Sequence, residues 1–224
     1  MILEKLELLT VNLQATKTFY QDVLELQIVE EKENAFTVKA GATLIRFEET
    51  GAYDRPFYHF ALNIPENKFR EAKKWIQSRV QLIQEEGDDE AFFTSWNAHS
   101  LYFEDPSGNI VEFIARHNLS NAISHCFSSA EINGVSEIGV VVNEVIPFVR
   151  TLNEIGLPNW KEDGEGLTPV GDERGLLIVV KKERTWFFSN QKPAEYYPLR
   201  AYLQGIGLLT FAEDSTFTVA PEKN

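Results

Sequence analysis

The 224-residue chain carries 34 Asp and Glu against 21 Lys and Arg, a formal net charge of −13, and no basic stripe that would track a phosphate backbone. That balance excludes nucleic acid and argues against an anionic membrane surface, while a 43% hydrophobic content supports a sizeable buried core. No stretch of about 18 apolar residues is present to span a bilayer, and the single Cys126 precludes an intrachain disulfide. With acids among the first residues, where a signal peptide is basic, the expectation is a cytoplasmic protein.

In chain order, Leu6 to Val11 reads as a strand, and Asn12 as the cap of a helix that carries Phe19, Tyr20, Val23 and Leu24 on one face and ends near Leu26. Ala35–Ala40 and Thr43–Phe47 flank Gly41 as a hairpin. The pattern then recurs. Phe57–Ile64 alternates as a strand, and Phe69, Ala72, Ile76 and Val80 form a helical stripe. Phe92–Thr94, Ser100–Glu104 and Ile110–Ala115 follow as short strands, the last two joined by Asp105-Pro106-Ser107-Gly108, a turn with Pro second and Gly fourth. A third round has a strand at Ile138–Val142 and a helix bearing Phe148, Val149, Leu152 and Ile155, stopped at Gly156. Next come a turn over Gly171–Gly175 and a strand at Leu176–Lys181. Tyr197–Leu203, Leu208–Phe211 and Phe217–Val219 are weaker strand candidates. Strand, helix, then several strands, three times over, points to a repeated supersecondary unit. A single α+β domain with coincidental repetition is the alternative. The Ser- and Asn-rich segment 118–133 reads as a linker.

Two stretches carry a family resemblance. Val11-Asn12-Leu13-Gln14-Ala15-Thr16-Lys17-Thr18-Phe19-Tyr20-Gln21-Asp22-Val23-Leu24 resembles the opening helix of the vicinal oxygen chelate superfamily, the glyoxalase, bleomycin-resistance and extradiol dioxygenase group. Tyr102-Phe103-Glu104-Asp105-Pro106-Ser107-Gly108-Asn109-Ile110-Val111-Glu112-Phe113 resembles that group's closing hairpin, a turn followed by a strand bearing Glu. The resemblance implies an α+β fold of repeated βαβββ modules curled into a cupped mixed β-sheet barrel. Residues 1–117 would form one complete two-module cup and 134–224 a partial, degenerate second copy.

The resemblance also implies a site. Metal-using members draw ligands from the first strand of each module and from the last strand, and leave open positions for two neighbouring substrate oxygens. By motif position His59 and Glu112 fall on two ligand places, but the first falls on Lys5, whose ammonium has no lone pair. Glu7, one pleat along the same face, is the substitute ligand, and Lys5 becomes a candidate for binding an anionic or carbonyl substrate. The implied ion is Fe, Mn, Ni or Zn. Tyr102 and His99 are acid–base candidates and Trp96 a substrate contact. Each of these aromatic side chains also reads as ordinary packing. Glu137 occupies the first ligand place of the third repeat, yet no His follows His125, so a second metal site is not expected. The aromatic tract Trp186-Phe187-Phe188 and Tyr196-Tyr197 reads as core, with a cap on the second half or a subunit contact as alternatives. The functional expectation is a metal-dependent small-molecule enzyme, a lyase, isomerase or dioxygenase, with an incomplete triad. The alternative is a metal-free binder of the bleomycin-resistance type, and a homodimer is compatible with either.

Overall fold

The repeats form three strand–helix–strand modules and a terminal meander in the computed structural model, which describes residues 1–212 and 216–221. Module one comprises β1 (Leu3–Thr10), α1 (Leu13–Thr18) running on into a π turn at Phe19–Val23, and β2 (Gln27–Lys32), β3 (Ala35–Ala40) and β4 (Thr43–Glu49). Module two comprises β5 (His59–Ile64), α2 (Phe69–Gln77), β6 (Ala91–Phe93), β7 (Ala98–Glu104) and β8 (Ile110–Arg116). Module three has β9 (Gly134–Val142), α3 (Val145–Glu154), β10 (Leu167–Asp172) and β11 (Gly175–Lys181), one strand fewer. β12 (Leu199–Leu203), β13 (Gly207–Phe211) and β14 (Phe217–Pro221) close the chain without a helix. The class is mixed α+β, with two curled mixed sheets.

Alternation explains most of these elements. Leu6, Leu8 and Thr10 of β1 are buried, while Lys5, Glu7 and Leu9 point to the other face. β5 and β8 are buried on both faces, which is why they read as continuous runs. β2 is an edge strand bearing Glu30, Glu31 and Lys32, mostly exposed, so it shows no apolar alternation. β10 is an edge strand too, and that position tolerates Pro169.

The two stretches that carry the resemblance meet in space. Tyr20 Oη donates to Asp105 Oδ2 at 2.8 Å, and the Ser107 hydroxyl lies 2.7 Å from those of Thr10 and Thr16. Asp105 Oδ1 also accepts from the backbone N–H groups of Ser107 and Asn109, at 2.9 and 3.0 Å, and Gly108 takes the positive φ of 83° that ends the turn. The first helix is thereby locked onto the turn of module two.

The sheet order departs from the expected pairing of modules. One sheet runs β14-β13-β12-β1-β4-β3-β2, the other β10-β11-β9-β5-β8-β7-β6. β9 pairs antiparallel with β5, and β12 antiparallel with β1. Module two thus shares a cup with module three, and module one shares a sheet with the terminal meander. Each sheet draws strands from both 1–117 and 134–224, rather than each segment closing on itself.

Candidate metal centre

The shared cup brings β9, β5, β8 and β7 side by side. Ala61 on β5 stands opposite Glu112 on β8 and opposite Glu137 on β9, and His59 lies one pleat away on the same face. The small Ala61 side chain leaves the space between the two carboxylates unfilled. One ligand atom from each of His59, Glu112 and Glu137 lies within 4.8 Å of the other two. His59 Nε2 is 3.6 Å from Glu112 Oε2, and all three residues are buried.

Burial sets the protonation states. It depresses His59 from an ordinary value of 6.5 to about 4, so the ring is neutral at physiological pH. The Nδ1 atom lies 3.2 Å from the Ile110 carbonyl oxygen, which favours a proton on Nδ1 and leaves the Nε2 lone pair facing Glu112. Burial also raises Glu112 well above the usual carboxylate range, and the nearby Glu137 raises it further. Burial likewise raises Glu137, but the Arg116 guanidinium opposes that shift. Arg116 is fully buried. Its Nη2 donates to Glu137 Oε1, its Nε donates to Ser136 Oγ at 3.0 Å, and its guanidinium lies 5.3 and 5.1 Å from the Trp96 and Trp160 rings.

These donors fit a divalent ion. The His59 Nε2 lone pair and Glu112 Oε2 face one another at 3.6 Å, and an ion held between them would favour the deprotonated carboxyl. That distance is close to the separation of two ligands each about 2.1 Å from a common ion. One imidazole and two carboxylates suit borderline to hard ions such as Fe(II), Mn, Ni or Zn. Three protein ligands leave coordination positions open.

Those positions would face a cavity of about 280 Å³ walled by Phe93, Trp96, Tyr102, Ile178, Trp186 and Phe187. Ile178 comes from β11 and brings no ligand atom to the fourth side. Trp186 packs 5.0 Å from the His59 ring, and only glycine at 139 admits it, since a Cβ there would come within 2.6 Å of the indole. Phe188 stacks on Tyr102 at 5.0 Å. The aromatic tract therefore roofs the site. Burial and the adjacent Glu112 raise the Tyr102 phenol, which stays protonated.

Among the expected site residues, His59, Glu112, Tyr102 and Trp96 share this cavity. Glu7 and Lys5 do not. They lie in the other sheet, where Lys5 Nζ donates to Glu7 Oε1 at 2.6 Å and Arg200 contacts Glu7 Oε2 at 3.1 Å. Glu137, not Glu7, lies beside His59 and Glu112, because module two completes its cup with module three. His99 is on the opposite face of β7 from Tyr102. It packs 5.1 Å from Phe69 of α2, with its Nδ1 2.7 Å from His117 Nε2, so it does not reach the cavity. The signal for Glu137 was present in the sequence as the first ligand place of the third repeat. Its pairing with His59 and Glu112 was not.

Residues 2–113 match the family model of the Glyoxalase/Bleomycin resistance protein/Dioxygenase superfamily, and the chain belongs to that superfamily. Among solved structures, a dioxygenase candidate from Bacillus subtilis superposes with a TM-score of 0.57 at 17% identity, covering 80% of this chain and 63% of that one. This chain thus spans less than two thirds of the Bacillus protein. A V278E mutant of glyoxalase I from Zea mays superposes with a TM-score of 0.57 at 11% identity, covering 96% of this chain and 90% of that one. At these identities the likeness is one of fold. No curated protein matches in sequence.

Proposed function

We propose that the protein is a metal-dependent enzyme acting on a small molecule with two neighbouring oxygens, its ion held by His59, Glu112 and Glu137. The observation that carries this reading is the convergence of three buried ligand atoms within 4.8 Å on the floor of an aromatic cavity. When bound, a divalent ion supplies Lewis acidity and a template for chelating oxygens. The remaining work falls to the chain. The Ile110 carbonyl fixes the His59 tautomer, and Arg116 orients Glu137. Trp186 and Phe187 wall the cavity above the ligands. Tyr102 keeps its proton on Oη and donates it to Glu112, which orients that ligand.

A second reading has one observation in its favour. Arg116 already compensates Glu137, so the cluster has part of its charge balance without an ion. On that reading the cavity binds an aromatic small molecule metal-free. A thermal-shift series with catechol, tropolone and acetohydroxamate separates the two. The enzyme reading expects chelating probes to stabilise the protein only when a divalent ion is supplied. Equal stabilisation in excess EDTA overturns it and supports the metal-free binder.

A further inference from the structure

Among the described residues, Phe187 is the only Phe, Tyr or Trp of the cavity wall that is exposed, at 44%. Its neighbours in sequence are the reverse, Trp186 at 6% and Phe188 at 4%. A ring so exposed gains only part of the burial energy open to a phenylalanine, so packing alone does not account for its place. The ring centroid lies 5.5 Å from Phe93 on β6 and 6.1 Å, edge to face, from Tyr102 on β7. Phe187 therefore stands at the mouth of the cavity, on its β6–β7 side.

The backbone is tied on both sides of it. The Trp186 N–H donates to the Lys192 carbonyl at 3.0 Å, next to a bridge between Thr185 and Pro193 that closes a short hairpin. The Phe188 N–H donates to Glu85 Oε2 at 2.7 Å, from a left-handed φ of 47° that is uncommon for a bulky residue. The rings of these neighbours are anchored as well, Trp186 against His59 and Phe188 on Tyr102. Phe187 is thus a wall held in place, not the tip of a free loop.

We propose that Phe187 is the specificity-determining residue of this cavity, a stop that limits its ligands to a single ring. The three buried ligand atoms form the floor, and Phe187 faces water at the mouth. A one-ring diol seated on the ion ends below the phenyl. A second fused ring extends directly away from the two neighbouring oxygens and meets it. The volume of about 280 Å³, at the low end for small-molecule sites, agrees with that limit. Chelation in this picture rests on the proposed metal centre, whereas the size limit is set by the wall alone.

Isothermal titration of the full Zn(II)-loaded chain with catechol and 2,3-dihydroxynaphthalene tests this. The proteins are wild type, Phe187→Ala, the milder Phe187→Leu, and Phe92→Ala as control. Phe92 is 51% exposed on the same β6 strand but packs 4.6 Å from His99, on the face away from the cavity. Wild type and Phe92→Ala should bind catechol at least about tenfold more tightly than the naphthalenediol. Phe187→Ala should tighten the naphthalenediol at least about tenfold while catechol moves less than about threefold, with Phe187→Leu in between. Phenol and 2-naphthol in EDTA repeat the comparison of sizes without an ion, and the same relaxation is expected there. Catechol binding indifferent to EDTA would count against the metal centre and leave the size limit standing. A preference unchanged in Phe187→Ala under both conditions, an equal change in Phe92→Ala, or no saturable heat from any of the four probes up to about 1 mM overturns the proposal.

Discussion

Replacing Arg116 with Met should destabilise the metal-free protein sharply, and replacing Glu137 as well should restore most of the loss. The side chains of Arg116 and Glu137 are 0% and 4% exposed, so the ion pair is out of reach of water. Removing one partner leaves an uncompensated buried charge, at a cost of about 3–5 kcal/mol. For a chain of this length each kcal/mol shifts the melting temperature by about 2–4 °C, so the expected fall is about 6–20 °C. Methionine keeps much of the length that packs between Trp96 and Trp160, which confines the loss to charge and hydrogen bonds. The orphaned Glu137 can escape by taking up a proton, so the deficit should be larger near about pH 8 than near about pH 5. The double variant Arg116→Met/Glu137→Leu removes both charges and should melt within a few degrees of wild type. Thermal melts followed by circular dichroism in EDTA read all three proteins. An Arg116→Met melt within about 2 °C of wild type, or a double variant weaker than the single, would refute the buried pair as drawn.

Three further outcomes follow from the geometry. Burial holds His59 at about 4 against 6.5 when unfolded, so its neutral form stabilises the protein fully above pH 6.5, and that contribution is lost as pH falls towards 4. The amount is about 3 kcal/mol by linkage. Glu112 and Glu137, both raised, act in the opposite sense, so the His59 share is read as the difference in acid slope between wild type and His59→Gln, and equal slopes would contradict it. Gly139→Ala should displace Trp186, lower stability by about 1–3 kcal/mol and shift the tryptophan emission, whereas an unchanged emission spectrum would mean that the roof is elsewhere. Tyr20→Phe removes the donor to Asp105 but leaves its backbone N–H partners, so calorimetry should show a loss of about 1–2 kcal/mol with divalent-ion affinity unchanged.

The sequence revealed the modules more clearly than their partnership. Asp105, Gly108 and the Phe19-Tyr20 pair are local signals, and each has the structural role its type suggests. His59 and Glu112 converge because both motif places lie in one module, on β5 and β8, which are paired in register. β2 escaped notice because an exposed edge strand lacks apolar alternation, and β10 because Pro169 and Gly171 interrupt a strand whose central residues are buried. Glu137 was legible only as a residue on a ligand place, since its union with His59 depends on β9 pairing with β5 across more than 70 intervening residues. No local periodicity encodes that choice. The Trp186-Phe187-Phe188 tract was legible as packing, but which cavity it roofs depends on the same long-range pairing. Glu7 and Lys5 looked like site residues because the first two modules were expected to close on each other. In the folded chain their charges are matched to one another and to Arg200 on β12.

The identity of the third ligand is the most direct point of test. Wild type, Glu137→Gln and Glu7→Gln would each be loaded with Mn(II), dialysed, and assayed for bound ion by atomic emission. The account predicts one ion per chain in wild type and in Glu7→Gln, with affinity reduced at least about tenfold in Glu137→Gln. Full retention in Glu137→Gln, or loss in Glu7→Gln, would contradict it.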